Sequence, residues 1–282
     1  MDDSVGRTQT FICGLDPARA TALHLALGRP GAPPGLGDPM PAFWHHIYFW
    51  DPQSPAALGR DGHPAPGPGL IPDLGLPMRM WAGGQLEFHT APVLGHPAEK
   101  TSTIERAEVK GGRTGRLGFV TLRHDIMQDG RLCVTERQDL VYRDPPDQRK
   151  TVQPPQANAR EYLALEQRFD PVMLFRYSAL TLNGHRIHYD ADYARDVEGY
   201  PGLVVHGPLL AQCGLLAAED LLGPLSAFSF RARSPVTVDE TVFFCLTGER
   251  KMLARTGDGR LLMDLEFTRV NWHIPLDLGA EA

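Results

Sequence analysis

The 282-residue chain is predicted to adopt an α+β fold built from two related halves, and three observations carry that prediction. Pro208 to Leu222 has the length and apolar composition of a helix that packs against a sheet, with Leu209, Leu210, Cys213, Leu216, Ala217 and Leu221 on one stripe. Asp129-Gly130 joins two alternating apolar segments, Gly118 to Gln128 and Arg131 to Tyr142, a strong hairpin signal. The third observation is an internal rhyme. Asp129-Gly-Arg-Leu132 has a twin in Asp258-Gly-Arg-Leu261, and Gln85-Leu-Glu-Phe88 followed by Pro92 parallels Ala227-Phe-Ser-Phe230 followed by Pro235. The shared order of strand, proline, strand, Asp-Gly and strand implies duplication, each half being an antiparallel sheet curved against a helix.

Taken in order, Leu15 to Leu27 reads as a helix that starts at Asp16-Pro17 and stops at Gly28 to Pro30. The chain is then rich in Pro and Gly as far as Pro77. Inside that stretch lies an aromatic island, Met40 to Trp50, whose residue types suit core filling or a pocket wall. Met78 to Gly84 runs into Gln85 to Phe88, and Lys100 to Val109 is strand-like ahead of the hairpin. Asp144 to Gln156, with four prolines, reads as a linker dividing domains at 1–150 and 151–282. Ala159 to Phe169 is short and mixed, and Met173 to Leu182 leads to a turn. Beyond the long helix, strands are expected at Leu225 to Ser234, Thr241 to Arg250, Met252 to Arg255 (weaker) and Arg260 to Trp272.

Composition narrows the function classes. With 42% hydrophobic and 22% charged residues the mixture is that of a globular protein, and a net charge of -6 disfavours nucleic acid or anionic membrane as a partner. The four cysteines form no Cys-x-x-Cys pair, which fits a reducing, cytoplasmic setting, and no secretory signal or apolar run of membrane-spanning length is seen. Gly83-Gly84 and Gly111-Gly112 are too isolated to form a phosphate loop, and Ser178 and Cys213 lack the surroundings of a nucleophile.

Chemistry concentrates between Tyr177 and Leu210. His185, His188 and His206 fall there, out of 11 histidines in all. Asn183-Gly184 favours a tight turn, since both residues tolerate left-handed backbone, so His185 and His188 leave that turn. Asp192 to Asp196 reads as a short helix closed by Gly199 and Pro201. His206-Gly207-Pro208 reads as a helix start, with the Gly207 N–H at the positive end of the helix dipole. An imidazole beside such an amide suits proton transfer at a carbonyl or thioester. Zinc is the rival reading of Asn183, His185, His188, Asp190 and His206, but no metalloenzyme spacing is present and no metal is expected.

The segment Tyr177-Ser-Ala-Leu-Thr-Leu-Asn183-Gly-His185-Arg-Ile-His188-Tyr-Asp190, with Val205-His206-Gly207, resembles the MaoC-like hydratases and dehydratases, hot-dog folds that act on acyl thioesters. Arg79-Met-Trp-Ala-Gly-Gly84 and Glu136-Arg-Gln-Asp-Leu-Val-Tyr-Arg143 resemble the degenerate first half of the two-domain members. The nearest subgroups are the itaconyl-CoA or mesaconyl-CoA hydratases and the type 2 hydroxyacyl-thioester dehydratases. The resemblance implies a double hot-dog fold and reversible hydration of a dicarboxylic enoyl-CoA to a citramalyl-CoA type product. It implies no cofactor beyond the CoA of the substrate, and it leaves room for a homodimer. His188 matches the family's catalytic histidine and Gly207 its thioester-binding glycine. The family's Asp is replaced by Asn183 and its intervening Asn by His185. Asn cannot take a proton from water, so either His188 works alone with Asn183 orienting the water, or His185 or Asp190 substitutes. His206, His185 and Arg186 are expected at the substrate, Arg186 facing either a free carboxylate or a CoA phosphate. The alternatives are a 3-hydroxyacyl-thioester dehydratase of fatty-acid metabolism, which predicts a long apolar tunnel, a thioester hydrolase, and a non-catalytic acyl-CoA binder.

Overall fold

Ten antiparallel strands form one sheet in a computed structural model that describes residues 4–67, 69–112, 115–144, 153–157 and 161–270. The first half contributes β1 (Thr8–Cys13), β2 (Met78–Phe88), β3 (Ala98–Gly112), β4 (Gly115–Gln128) and β5 (Arg131–Arg143). The second contributes β6 (Tyr162–Arg168), β7 (Leu225–Ala232), β8 (Thr241–Gly248), β9 (Lys251–Thr256) and β10 (Leu261–Arg269). Their order across the sheet, β1-β3-β4-β5-β2-β7-β10-β9-β8-β6, reads the same from either end once the halves are equated. The rhyming turns are equivalent: Asp129-Gly130 joins β4 to β5, and Asp258-Gly259 joins β9 to β10. The rhyming tetrapeptides are partners at the seam, where Leu86 faces Phe228 and Gln85 faces Ser229.

That seam explains the glycine pair. A Cβ on Gly84 would lie 2.7 Å from the Phe230 ring, and one on Gly83 would lie 2.7 Å from the Phe230 carbonyl oxygen. Side chains there would push β2 off β7, so the two sheets join into one only because these positions are bare.

The described residues hold four α-helices, α1 (Pro17–Ala26), α2 (Pro171–Thr181), α3 (Ala191–Asp196) and α4 (Gly207–Leu222), of which α4 packs along the sheet. A shared start links α1 to α2, since each follows an edge strand and opens with Asp-Pro. Asp16 Oδ1 accepts from Ala18 N at 2.9 Å and Asp170 Oδ1 from Met173 N at 2.8 Å, each satisfying an orphan helix donor. The expected one-sided stripe on α4 is wider than predicted. Every residue from Pro208 to Ala218 is buried, because α4 lies against β2, β6, β7, β9 and β10 at once. Gly223 ends it at φ +82°.

The first half holds no helix of that length among the described residues. The aromatic island takes up the space instead, with Phe43, Trp44, Ile47, Tyr48 and Phe49 all buried around a 3₁₀ turn, Trp44–Ile47. Phe43 packs edge-on to Phe228 and Phe230 at 6.1 and 6.0 Å, and Trp50 Nε1–H donates to the Leu180 carbonyl at 3.0 Å. Most of the predicted linker (145–152), Ala159, and the end of the last predicted strand (271–272) lie outside the described residues.

Candidate active site

Helix α2 delivers the chain to the site. It closes at Leu182, whose φ of +52° makes this residue, and not Asn183 or Gly184, the left-handed one. Asn183 turns the chain by another device: its Oδ1 accepts the His185 backbone N–H at 3.0 Å. Gly184 is required by close approach, because a Cβ there would lie 2.5 Å from the Gly62 carbonyl oxygen. A 3₁₀ turn, Arg186–His188, then presents His188, and α3 follows with Asp190 Oδ1 accepting from Tyr193 N at 2.9 Å.

His188 is fixed through Val204. Its Nδ1–H donates to the Val204 carbonyl at 2.7 Å, while Val204 N–H donates to Ile187 at 2.9 Å. That bond settles the tautomer, leaving Nε2 as the free lone pair on the wall of a cavity of about 1060 Å³. Burial, then the neighbouring His206, holds the His188 pKa well below the usual imidazole value, and the Val204 carbonyl opposes them. The imidazole is therefore neutral, with the Nε2 lone pair open to a proton. Gly207 lines the same cavity as the first residue of α4, so its N–H has no partner within the helix. Asn183 and His185 also line it.

Two expected substrate contacts are corrected. His206 is completely buried: its Nε2 meets Ser178 Oγ at 2.8 Å and its ring stacks on His188 at 3.6 Å, so it backs His188 and has no surface open to a ligand. Burial lowers its pKa to about 3. Arg186 turns out of the cavity. It pairs with Asp190 at 2.6 Å and lies over the Tyr193 ring at 4.1 Å, so neither it nor Asp190 reaches the reacting centre. Nor do the five residues weighed as zinc ligands converge, since each is held by a different partner.

Sequence reasoning missed the contribution of the first half. Asp61-Gly62-His63, inside the Pro/Gly-rich stretch, docks on the key turn, with Arg186 N–H donating to the Asp61 carbonyl at 2.9 Å. His63 meets Asp61 at 3.0 Å and tilts against His185 at 4.5 Å, while His185 Nε2 meets Glu198 at 3.0 Å. Burial and the charge of Arg79 lower His63 to about 4, against the pull of Asp61. Across the cavity, Glu136 accepts from His45 Nε2 at 2.8 Å and His46 Nε2 at 3.0 Å. Burial alone would raise the Glu136 pKa, but the charge of His46 and bonds from both imidazoles hold it well below the carboxylate range. The adjacent His45-His46 pair was the available signal, hidden among aromatics. Among the described residues, Glu136 with His45 and His46, and Asp61 with His63 and His185, are the two groupings whose donor atoms lie close enough to hold a metal ion, though each already joins a carboxylate to imidazoles.

A second concavity, about 810 Å³ at the β2–β7 seam, is lined by Asp139, Asp264 and Glu266 but by no imidazole or thiol. Solved structures share the architecture. HtdX of Mycobacterium tuberculosis superposes with a TM-score of 0.67 at 18% identity, over 94% of this chain and all of that one. A second Mycobacterium tuberculosis protein, described as having a double hotdog fold, gives 0.57 at 17% over 94% and 96%. Fold and relatives together define a hot-dog hydro-lyase of the hydratase or dehydratase kind. The chain belongs to the hydroxyacyl-thioester dehydratase type 2 family, whose profile matches residues 43–238. It is also 41% identical over 237 residues to the mesaconyl-C(4)-CoA hydratase of Chloroflexus aurantiacus, covering 82% of this chain and 83% of that protein. Among the described residues no helix is long and apolar enough to cross a membrane.

Proposed function

We propose that this chain adds water reversibly across the double bond of a short-chain dicarboxylic enoyl-CoA, such as mesaconyl-CoA or itaconyl-CoA, giving a citramalyl-CoA type product. The observation that carries the reading is the locked, neutral His188, whose free Nε2 shares a cavity with the unpartnered Gly207 amide. In the forward direction on mesaconyl-CoA, His188 Nε2 takes a proton from water as the water oxygen bonds to the β-carbon. The C=C electron pair moves onto the thioester oxygen, and the Gly207 N–H stabilises the enolate charge there. The imidazolium then returns its proton to the α-carbon, which restores the base. Asn183 Oδ1 retains a second lone pair with which to orient the water.

The 41% identity to a mesaconyl-C(4)-CoA hydratase supports the dicarboxylic acyl class. So do Lys100, His124, Glu136 and Gln138, which put a polar patch into an otherwise largely apolar cavity wall. The cysteines, all free and three of them buried, fit a reducing cytoplasm. The test is loss of enoyl-thioester absorbance across a panel of CoA esters, with wild type and His188→Ala. Removing a proton carrier is expected to cost roughly 10²–10⁴-fold in rate with the melting temperature retained. Undiminished turnover by that variant would remove His188 from the mechanism.

A further inference from the structure

The inward face of β3, β4 and β5 carries a polar belt where a core face would be apolar. Ile126 and Val134 pack on one side of it and Leu122 and Leu140 on the other, in two separate apolar clusters. Between them lie Lys100, Ser102, His124, Glu136 and Gln138. Most of the belt is satisfied internally. Ser102 Oγ meets His124 Nδ1 at 2.7 Å, His124 Nε2 meets Gln138 Oε1 at 3.2 Å, and Glu136 is held by His45 and His46. Lys100 is the exception. It lines the cavity with its ammonium 5.4 Å from the Phe49 ring centre, and among the described residues it makes neither a hydrogen bond nor an ion pair. Among the described residues Glu136 and Asp51 attract this enclosed ammonium without touching it, so it is placed to take a direct anionic partner from a ligand.

We infer that Lys100 receives the free carboxylate of the dicarboxylic acyl group, so that the first half sets acyl specificity for chemistry performed by the second. This assignment rests on the hydratase reading above. A carboxylate on or next to the β-carbon lies only a few ångströms from the thioester carbonyl, so its cation must stand inside the cavity. Among the other cavity cations, Arg233 and Arg260 are paired with Asp264 and Glu240, close to the exposed Gln153–Pro155 edge. Arg143 lies beside Tyr200, and Arg79 beside Tyr142 and His63, which makes Arg79 the rival cation. Arg186, the cation nearest in sequence, points away.

The experiment compares kcat/KM for mesaconyl-CoA and for 3-methylcrotonyl-CoA, in which a methyl replaces the carboxylate, using wild type, Lys100→Met, Lys100→Arg and Arg79→Met. Loss of one charge-assisted contact is expected to lower the mesaconyl-to-methylcrotonyl ratio roughly 10- to 100-fold in Lys100→Met. Lys100→Arg should recover part of it and Arg79→Met should leave it near the wild-type value. An equal fall on both esters would assign Lys100 a purely structural role and overturn the inference, as would an unchanged ratio or a ratio shifted by Arg79→Met alone. No wild-type turnover of any dicarboxylic ester alongside good turnover of methylcrotonyl-CoA would instead bring down the parent reading, and this assignment with it.

Discussion

Acidification should unfold this protein through its buried imidazoles. Burial holds His124 at about 4 and His206 at about 3, against an ordinary value of 6.5. Neither is bonded to a carboxylate: His124 meets Ser102 and Gln138, and His206 meets Ser178. Because both folded pKa values are depressed, the unfolded chain takes up these protons first. The stability they represent is intact above pH 6.5 and is lost as pH falls through the window from 6.5 towards 4. At pH 5 the difference is about 2 kcal/mol for each ring, or about 4 kcal/mol for the two titrating independently. Set against a typical total of about 5–15 kcal/mol, that is a large share. Urea unfolding followed by tryptophan fluorescence at pH 7, 6 and 5 reads it directly. His124→Gln, which keeps a polar partner for Ser102, should reduce the slope of stability against pH by about 1.4 kcal/mol per unit near pH 5. Equal stability at pH 7 and pH 5, or an unchanged slope in His124→Gln, would refute the claim that these rings are held neutral by burial.

Gly62→Ala should damage both stability and rate, since Gly62 sits at φ +87° and the new Cβ would lie 2.1 Å from the Gly184 carbonyl. We expect a loss of about 1–3 kcal/mol, and a fall in hydration as the Asn183–His188 turn shifts, read by melting and by absorbance. Gly207→Ala separates ligand from protein. The new Cβ would come no nearer to another residue than 3.8 Å, at Trp81 O, so the melting temperature should hold while kcat/KM drops roughly tenfold as the methyl crowds the acyl oxygen. Unchanged kinetics would remove Gly207 from the acyl site. Asp170→Ala deletes the α2 cap and should cost about 1 kcal/mol in urea unfolding without altering turnover at saturating substrate.

Much of the fold was legible because local chemistry and tertiary packing agree. Asp129-Gly130 has φ values of +50° and +73°, which the turn demands and which this pair adopts readily. The same holds for α4, whose apolar run matches its enclosure on all sides. The edge strands were harder. Tyr162–Arg168 shows no clean alternation of burial and leaves Tyr162 66% exposed, so periodicity says little about it. The start of α2 at Asp170-Pro171 was written in the sequence, as a repeat of Asp16-Pro17, but it fell between a stretch read as mixed and one read as the approach to a turn. Within the site, His188 and Gly207 were legible because chain neighbours position them. Glu136, His45, Lys100 and His63 were not, because they meet the second half only once β2 pairs with β7.

The two halves have divided what a duplicated scaffold would otherwise do twice. In the second, α4 supplies the helix start and the turn after α2 supplies the base. In the first, the aromatic island stands where a comparable helix would lie, and the inner face keeps a carboxylate, imidazoles and an ammonium at a depth where apolar side chains would be more stable. A half that had merely degenerated would be expected to drift towards such packing, since replacing satisfied buried polar groups with apolar ones is often neutral or favourable. The belt lines the same cavity as His188 and Gly207. A role in binding what enters that cavity, as proposed for Lys100, would account for its cost, whereas packing alone would not.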